Sequence, residues 1–346
     1  MNWLIFGAGA IGTYLGVNLI THGQNVVFLE RPLVASLLRQ QGLKLNIHGQ
    51  EHRIMHPDVY TSIPDVLSLG TFDIAVFAIK SYDTQQTLET IRPYKPTFPP
   101  ILCFQNGVEN EAAIGRLMGD NKVIAGTITS AISRRGPGDI ILERQRGLGI
   151  ADGHPLSKSI HQAFVLSGFN AQLYPNRAGM KWSKMLTNLL ANASSAILDM
   201  TPAEILQNPS LYRIEISQLK EALAIMRLLQ IRLVDLPGSP VRLFAWIVNR
   251  LSPMFSQPLV ARIAGKGRGK KMPSFHIDLH SGRQNSEVDY LNGAVVRFGE
   301  QLNIATPVNT WLNHTLLKLS KGMLPINEYA HLPEKYISDL NKDTKR

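Results

Sequence analysis

Short apolar runs alternate with helix-like stretches over the first third of the chain. Residues 2–6 (NWLIF) form one apolar run, residues 13–21 have helical character, and further apolar runs cover residues 26–29, 73–79 and 101–104. Apolar runs separated by helices are typical of a parallel sheet that is covered on both faces. The pattern therefore predicts an α/β fold, a doubly wound parallel sheet that continues to about residue 125.

The pattern changes towards the second half of the chain. Residues 134–143 (RRGPGDIILE) predict a hairpin between antiparallel edge strands, and beyond about residue 175 helical periodicity dominates, at residues 180–198, 210–230 and 287–302. No internal repeat is visible. We predict three segments: an α/β domain, an all-helical domain and a polar tail, at residues 1–175, 176–330 and 331–346.

Composition narrows the class of protein. The chain has 44% hydrophobic and 18% charged residues, which is typical of a globular protein. A single cysteine, Cys103, excludes an internal disulfide and any cysteine-rich metal site, and we predict no metal. Cys103 lies in an apolar run and is interpreted as a buried small residue. The apolar N-terminus lacks a basic segment and is interrupted by glycines, so we predict a cytoplasmic protein with no membrane partner.

The net charge of +10 requires an interpretation of the basic residues. Part of the excess lies in residues 265–271 (GKGRGKK), which are rich in glycine and lack aromatic side chains. This stretch is interpreted as a solvated loop, with a lid over an anionic ligand and a nucleic-acid patch as alternatives. We predict no nucleic-acid partner.

The motif G-x-G-x-x-G follows the first apolar run and opens the first helix. Its residues are Gly7, Ala8, Gly9, Ala10, Ile11 and Gly12. The first glycine permits a tight turn, the second lets backbone N–H groups approach a pyrophosphate, and the third allows the helix to pack closely on the strand. Because Glu30 ends the next apolar run, the context is that of a Rossmann dinucleotide site.

Glu30 and Arg31 leave the choice of cofactor open. A carboxylate at this place binds the ribose hydroxyls of NAD and repels a 2′-phosphate, whereas the adjacent arginine pairs with that phosphate. The residues alone do not decide between NAD and NADP.

Two polar residues follow strands of the predicted sheet. Lys80 comes after the run at 73–79, and Asn106 follows the run at 101–104. Ligands bind beyond the carboxyl ends of such strands, so both residues are candidates for the cofactor edge. The alternatives are a solvated lysine and a turn-forming Asn-Gly pair.

The predicted helix at 182–198 has an unusual polar face. Lys184, Asn188 and Asn192 are spaced by four residues and lie opposite an apolar stripe. A solvated face usually carries several charges, so this one fits the lining of a binding cleft. The alternative is an exposed helix face that is only weakly charged. Further on, Glu287 and Asp289 begin a helical pattern after Ser286, and local sequence favours a capping and dipole role for them.

Taken together and in order, these motifs resemble the ketopantoate (2-dehydropantoate) reductase family. They are GAGAIG, Lys80, QNG at 105–107, KMLTN-LLAN at 184–192 and SEVDYLNG at 286–293. The resemblance extends from residue 1 to about residue 320. It implies a Rossmann domain followed by a helical domain like that of 6-phosphogluconate dehydrogenase, and NADPH-dependent reduction of 2-dehydropantoate to pantoate on the route to coenzyme A.

The resemblance also implies roles for individual residues. Lys184 is the catalytic general acid, and Glu287 is a second catalytic residue. Glu287 and Asn106 contact cofactor and help to order the site. Asn188, Asn192 and Ser274 bind substrate, together with Lys184 and Asn106. Arg31 meets the 2′-phosphate of NADP(H), and Lys80 and the glycine loop complete the cofactor site.

Four departures from the family pattern bear on the substrate and cofactor. Pro202 stands about where the family has a further asparagine, and Glu30 is an unfavourable neighbour for a 2′-phosphate. One extra residue lies between Asp278 and Glu287, and the stretch from about 236 to 272 is long. Two alternatives therefore stay open: a reductase of another 2-keto acid, using NADP(H) or NAD(H), and a non-enzymatic dinucleotide sensor. Either a monomer or a homodimer is expected.

Overall fold

The computed structural model describes residues 1–268 and 272–344, and the side chains of residues 263–271 lie outside the description. The chain divides into two units, Met1–Lys181 with Leu236–Ser239, and Trp182–Asp235 with Pro240–Arg346. The first unit therefore extends to residue 181, six residues beyond the predicted domain boundary at 175. It also includes the short segment Leu236–Ser239, which the prediction placed in the helical domain.

The first unit contains two sheets. The strands are β1 (Asn2–Phe6), β2 (Asn25–Leu29), β3 (Leu43–Ile47), β4 (Gln50–Ile54), β5 (Asp58–Tyr60), β6 (Ile74–Phe77), β7 (Ile101–Cys103), β8 (Val123–Ile128), β9 (Ala131–Gly136), β10 (Asp139–Arg144), β11 (Leu148–Ala151) and β12 (Ala171–Tyr174). Its helices are α1 (Ala10–Thr21), α2 (Pro32–Gln41), α3 (Ile63–Ser68), α4 (Thr84–Ile91), α5 (Asn110–Met118) and α6 (Ser157–Leu166). Helix α7 (Arg177–Leu189) begins in the first unit and continues into the second.

The larger sheet has eight strands in the order β12-β11-β8-β7-β6-β1-β2-β5. Neighbouring strands are parallel except for the antiparallel pair β8 and β11. The strand order reverses between β1 and β6, which is where a doubly wound sheet binds its ligand. The predicted α/β fold is confirmed.

Strand β1 shows why its sequence is apolar throughout. Trp3 and Ile5 pack on one face of the sheet, whereas Leu4 and Phe6 pack on the other. All four side chains are buried, because helices cover both faces. Gly16 lets α1 lie close to β2, since a Cβ there would stand 2.2 Å from the ring of Phe28.

The smaller sheet has four strands in the order β4-β3-β10-β9 and packs on α1. Its antiparallel pair β9 and β10 confirms the predicted hairpin. Strands β3 and β4 have no counterpart in the predicted elements. They are joined by His48 and Gly49, both with positive φ (50° and 87°), as in a tight hairpin turn.

Every regular element that the structure describes in the second unit is a helix. After α7 these are α8 (Asn192–Leu198), α9 (Pro202–Gln207), α10 (Pro209–Leu228), α11 (Val241–Arg250), α12 (Pro253–Arg268), α13 (Ser274–His280), α14 (Val288–Leu302), α15 (Pro307–Ser320) and α16 (Pro333–Thr344). Helices α10 and α14 confirm the predicted helical stretches at 210–230 and 287–302. Among the described residues, no helix is both long and apolar enough to cross a bilayer.

Two predictions for this half of the chain are wrong in part. Residues 331–346 are not only a polar tail, because α16 buries Tyr336 and Leu340 and packs on α15. Residues 265–268 are not a loop, because they form the end of α12. The rest of the basic stretch, residues 269–271, lies outside the described residues, as do all its side chains.

Candidate active site

The glycine motif forms a tight turn between β1 and α1. Gly7 has φ of 90°, and its N–H donates to the carbonyl of Leu29 at 3.1 Å. A Cβ on Gly12 would lie only 1.8 Å from the carbonyl oxygen of Gly7, so the helix reaches this turn only without a side chain. The geometry is that expected of a dinucleotide loop.

The start of α1 is open to a ligand. Gly9 caps the helix without any side-chain hydrogen bond, and a Cβ at Gly9 would meet nothing within 4 Å. A helix of this length presents backbone N–H groups and partial positive charge at its first turn. On the other side of the loop, the turn of the β9–β10 hairpin is anchored by a hydrogen bond from the Gly138 N–H to the Ala8 carbonyl at 3.3 Å. The loop is therefore rigidly held but has space for a phosphate.

Glu30 and Arg31 play different parts in this structure. The Glu30 carboxylate accepts from the backbone N–H of Ala8 at 2.5 Å and from that of Arg31 at 3.0 Å. The Arg31 side chain is 84% exposed and approaches Asp83 only to 4.0 Å. The carboxylate is thus engaged with the loop backbone, while the guanidinium projects into solvent at the end of β2.

Lys80 and Asn106 lie on adjoining loops after β6 and β7. The Ser81 hydroxyl donates to the Asn106 carbonyl at 3.0 Å, and the amide of Gln105 donates to the Lys80 carbonyl at 3.2 Å. The Asn110 amide adds a bond to the Asn106 carbonyl at 2.7 Å. The structure therefore brings Lys80 and Asn106 to the same edge of the sheet, on two loops that are hydrogen-bonded to each other.

A buried ion pair supports these loops, and sequence reasoning missed it. The Lys181 ammonium lies 2.8 Å from the Glu111 carboxylate and donates to the Gln105 carbonyl at 2.6 Å. Both charged side chains are about 95% buried, since 4% and 5% are exposed. The only sequence signal is that this lysine stands between two large apolar residues, Met180 and Trp182.

The electrostatics of this pair are set by burial and by Glu111. Burial alone would lower the pKa of Lys181, but the Glu111 carboxylate and Cys103 together outweigh burial, so the pKa is raised above its ordinary value. Burial raises the pKa of the nearby Cys103 thiol far above its usual range, with a further contribution from Glu111. Cys103 is fully buried and donates to Gln105 at 3.4 Å, which fits its interpretation as an inert core residue.

The predicted continuous helix from 180 to 198 is interrupted. Helix α7 ends at Leu189, Ala191 adopts a left-handed conformation (φ 55°), and α8 begins at Asn192. Lys184 and Asn188 therefore share α7, both partly buried, whereas Asn192 belongs to the next helix. The prediction that Lys184, Asn188 and Asn192 share one face of a single helix is therefore wrong.

A buried carboxylate explains the interruption. Glu215 of α10 is fully buried and accepts from the backbone N–H of Ala191 at 2.6 Å. The Ser194 hydroxyl and the Gln218 amide also donate hydrogen bonds to the Glu215 carboxylate. Both of its oxygens are therefore hydrogen-bonded next to the break between α7 and α8. A local sequence rich in leucine and alanine predicts a helix, and this long-range contact overrides that preference.

The structure brings two of the predicted substrate residues together. Asn192 is buried, and its side-chain oxygen accepts from the backbone N–H of Phe275 at 3.2 Å. Ser274 precedes Phe275, is exposed, and starts α13. This hydrogen bond joins α8 to α13, and it places Asn192 next to the residue that follows Ser274.

Two other positions take on helix-starting roles. Pro202 is the first residue of α9, where Thr201 and Glu204 form a reciprocal capping box. The Ser286 hydroxyl accepts from the backbone N–H of Val288 at 3.2 Å, but the N-cap residue of α14 is Glu287, so the predicted capping by Ser286 is wrong. Glu287 is 4% exposed at this helix start, which is more buried than a carboxylate that serves only the helix dipole.

Comparison with known proteins decides the family. The model described as "Ketopantoate reductase PanE/ApbA" matches residues 3–154, and the model "Ketopantoate reductase PanE/ApbA C terminal" matches residues 176–320. The chain belongs to the ketopantoate reductase family. Members of this family are oxidoreductases that depend on NAD(P), which agrees with the glycine loop.

Relatives span nearly the whole chain. The 2-dehydropantoate 2-reductase of Pyrococcus horikoshii is 26% identical over 329 residues, covering 93% of this chain and 98% of its own length. That of Lactococcus lactis is 24% identical over 312 residues, covering 89% and 94%. These identities are low, so they indicate the family rather than a shared substrate.

Solved structures show the same fold. A PanE/ApbA family ketopantoate reductase from Ralstonia eutropha superposes with a TM-score of 0.78 at 25% identity, covering 93% of this chain and 99% of that one. A D-mandelate dehydrogenase in complex with NADH and anilino(oxo)acetate gives a TM-score of 0.77 at 21% identity, with the same coverage. The same fold is therefore found in a dehydrogenase that is named for a different substrate.

Proposed function

We propose that this protein reduces 2-dehydropantoate to pantoate with NADPH, as a step in pantothenate and coenzyme A biosynthesis. One observation carries the proposal. Within a chain that matches the family over both units, the glycine loop is accompanied by site residues that the family resemblance implies, with one asparagine replaced by Pro202: Lys184, Asn188, Asn192, Ser274 and Glu287. A protein that only sensed the dinucleotide would need the loop alone.

Residues of the first unit would hold the cofactor. The N–H groups at the start of α1 suit the pyrophosphate, and the open space at Gly9 allows it to approach. The exposed Arg31 suits a 2′-phosphate, because a guanidinium pairs with phosphate through two parallel hydrogen bonds. Since Glu30 is already hydrogen-bonded to the Ala8 and Arg31 amides, its negative charge is partly offset, which favours NADPH over NADH.

Lys184 would supply the proton. Reduction of a 2-keto acid adds a hydride to the carbonyl carbon and a proton to its oxygen; bound NADPH supplies the hydride. The Lys184 ammonium would donate a hydrogen bond to the carbonyl oxygen, stabilise the developing alkoxide and transfer the proton to it. Asn188, Asn192 and Ser274 offer neutral donors and acceptors for the rest of the substrate.

A second candidate is the reduction of a different 2-keto acid, and Pro202 favours it. Its ring is buried at the first position of α9, and proline offers neither an N–H nor a polar side chain to a substrate hydroxyl. A substrate without the hydroxyl group of 2-dehydropantoate would lose nothing at this position.

NADPH oxidation with 2-dehydropantoate tests the proposal directly. We expect turnover with NADPH and a lower kcat/KM with NADH. A panel of 2-keto acids that differ in chain length and hydroxyl content tests the second candidate: if one of them gives a higher kcat/KM than 2-dehydropantoate, the substrate assignment is wrong. Tight NADPH binding without turnover on any keto acid would contradict both and favour a sensor.

A further inference from the structure

Three histidines surround one aspartate in the second unit. We call Asp199, His276, His280 and His331 the Asp199 cluster. The Nε2 atoms of the three histidines lie 2.6, 3.8 and 3.6 Å from the Asp199 carboxylate, in the order His276, His280, His331. None of these residues takes part in the proposed reaction, so the cluster needs a separate explanation.

Two of the histidines are arranged as a pair. His276 and His280 are four residues apart on α13 and share one helix face. Their rings stack at a centroid distance of 4.0 Å with an angle of 23° between planes. Histidines with this helical spacing direct their ring nitrogens to a common point, which is why the spacing recurs in zinc-binding helices.

The carboxylate is held from two sides at the end of α8. Asp199 has a left-handed backbone (φ 50°) that ends this helix. The backbone N–H of His331 donates to the Leu198 carbonyl at 2.7 Å, which fixes the approach of the His331 ring to Oδ2. The other oxygen, Oδ1, faces both His276 and His280.

A simple ion pair does not account for this arrangement. One histidine is enough to neutralise one carboxylate, and two imidazolium rings stacked at 4.0 Å would repel each other. Two neutral imidazoles and one carboxylate are, by contrast, a standard ligand set for a divalent transition metal. One ligand atom from each of Asp199, His276 and His280 lies within 4.8 Å of the other two.

We propose that Asp199, His276 and His280 form a binding site for a divalent transition metal of the Zn²⁺ type. Ligand atoms around tetrahedral zinc lie about 3.3 Å apart, for bonds of about 2.0–2.1 Å. On metal binding, the His276–Asp199 distance would lengthen from 2.6 Å and the His280–Asp199 distance would shorten from 3.8 Å. Side-chain rotations that move the ligand atoms by less than about 1 Å are enough for both changes. The three protein ligands leave a fourth position for water, and His331 orients the carboxylate through Oδ2.

The site would tie two helices together. Asp199 ends α8, and His276 and His280 lie on α13, so a bound metal would cross-link the helices that carry Asn192 and Ser274. The spacing of the two histidines is visible in the sequence, but Asp199 lies 77 residues before His276, and only the fold brings it near. The inference rests on the second unit alone and does not depend on the proposed reaction.

Metal titration of the full-length, tag-free protein tests the site. The protein is first dialysed against a chelator and then titrated with Zn²⁺ by calorimetry at mildly alkaline pH, where imidazole is neutral. We expect one equivalent to bind. Even outer-shell partners contribute about 10–100-fold to metal affinity, so His276→Ala and His280→Ala are each expected to lose about 100-fold or more.

His314→Ala is the matched control, because this histidine is exposed on α15 and is not one of the four residues of the cluster. It should bind Zn²⁺ like the unaltered protein. His280 is 35% exposed, so His280→Ala is expected to keep the fold, which circular dichroism checks. Visible absorption of bound Co²⁺, displaced by Zn²⁺, gives a second readout that reports the ligand set.

Two results would overturn the proposal. One is the absence of stoichiometric binding by the unaltered protein. The other is binding that His280→Ala leaves unchanged or that His314→Ala weakens equally. Neither result bears on NADPH oxidation, so the failure of this site and the failure of the proposed function are distinguishable.

Discussion

The buried pair of Lys181 and Glu111 gives a quantitative test of how the sheet edge is held. Replacing Glu111 with Gln removes the carboxylate 2.8 Å from the ammonium and keeps the size of the side chain. The ammonium would stay buried, with the Gln105 and Gly126 carbonyls at 2.6 and 3.3 Å as remaining acceptors. The variant therefore isolates the charge of Glu111.

The expected cost follows from burial. Removing one partner of a buried ion pair costs about 3–5 kcal/mol, because an uncompensated charge remains in the interior. Since two carbonyl acceptors persist, we expect the low end, about 3 kcal/mol, which lowers Tm by about 6–12 °C for a unit of this size. Differential scanning calorimetry of the full chain measures this shift.

An exposed pair provides the control. Glu89 and Arg92 lie 3.3 Å apart with 49% and 65% of their side chains exposed, and Glu89→Gln should shift Tm by about 2 °C or less. The double variant of Glu111→Gln with Lys181→Met should be less destabilised than the sum of the two single variants, because it leaves no unpaired charge. A Tm for Glu111→Gln no lower than that of Glu89→Gln would refute the reasoning.

The same pair predicts a pH dependence. The pKa of Lys181 is raised above its ordinary value of 10.5, so its contribution to stability is fully present below that pH and is lost as the pH rises through the folded value. The difference in Tm between the unaltered protein and the double variant should therefore stay constant at neutral pH and shrink only in strongly alkaline solution. A difference that already falls between pH 6 and pH 8 would contradict a protonated, paired Lys181.

Three further variants and one labelling experiment test the first unit. Gly12→Ala should abolish NADPH binding and destabilise the fold. Gly9→Ala should leave Tm unchanged and still weaken NADPH binding, as measured by fluorescence titration. Equal stability of the two variants would contradict the loop geometry. Arg31→Ala should raise the KM for NADPH about tenfold or more and leave that for NADH nearly unchanged, since a charged hydrogen bond contributes about 1.5–3 kcal/mol. Cys103 should react with a thiol reagent only after unfolding, because burial keeps the thiol protonated and inaccessible; rapid labelling of the native protein would refute this.

The first unit was predictable where local sequence carries the physical constraint. The glycine loop, the apolar strand before it and Glu30 after the next strand each act over a few residues, and the large sheet follows from them. Strand β4 escaped prediction because it is mostly polar and partly exposed, whereas β3 has apolar residues at alternate positions but only five residues in all. Of their residues, Leu43 and Leu45 are the ones fully buried, and β3 pairs with β10, almost a hundred residues later.

The second unit shows where long-range contacts override local preference. The run around Ala191 favours a continuous helix, and only the buried Glu215 of α10 explains the break. The polar composition of the last residues favours a tail, yet Tyr336 anchors α16 through a hydrogen bond to Ser194 at 2.8 Å. Lys181 looked like an ordinary helical lysine because its partner, Glu111, lies on α5. None of these partners is adjacent in sequence.

The central claim is that Lys184 is the general acid of a nicotinamide-dependent keto acid reductase, and one variant tests it most directly. Lys184→Ala should lower kcat for 2-dehydropantoate reduction by about 10²–10⁴-fold, while the affinity for NADPH stays within about twofold. The matched control is Lys220→Ala, an exposed lysine on α10, which should keep normal turnover. Near-normal turnover of Lys184→Ala would contradict the account.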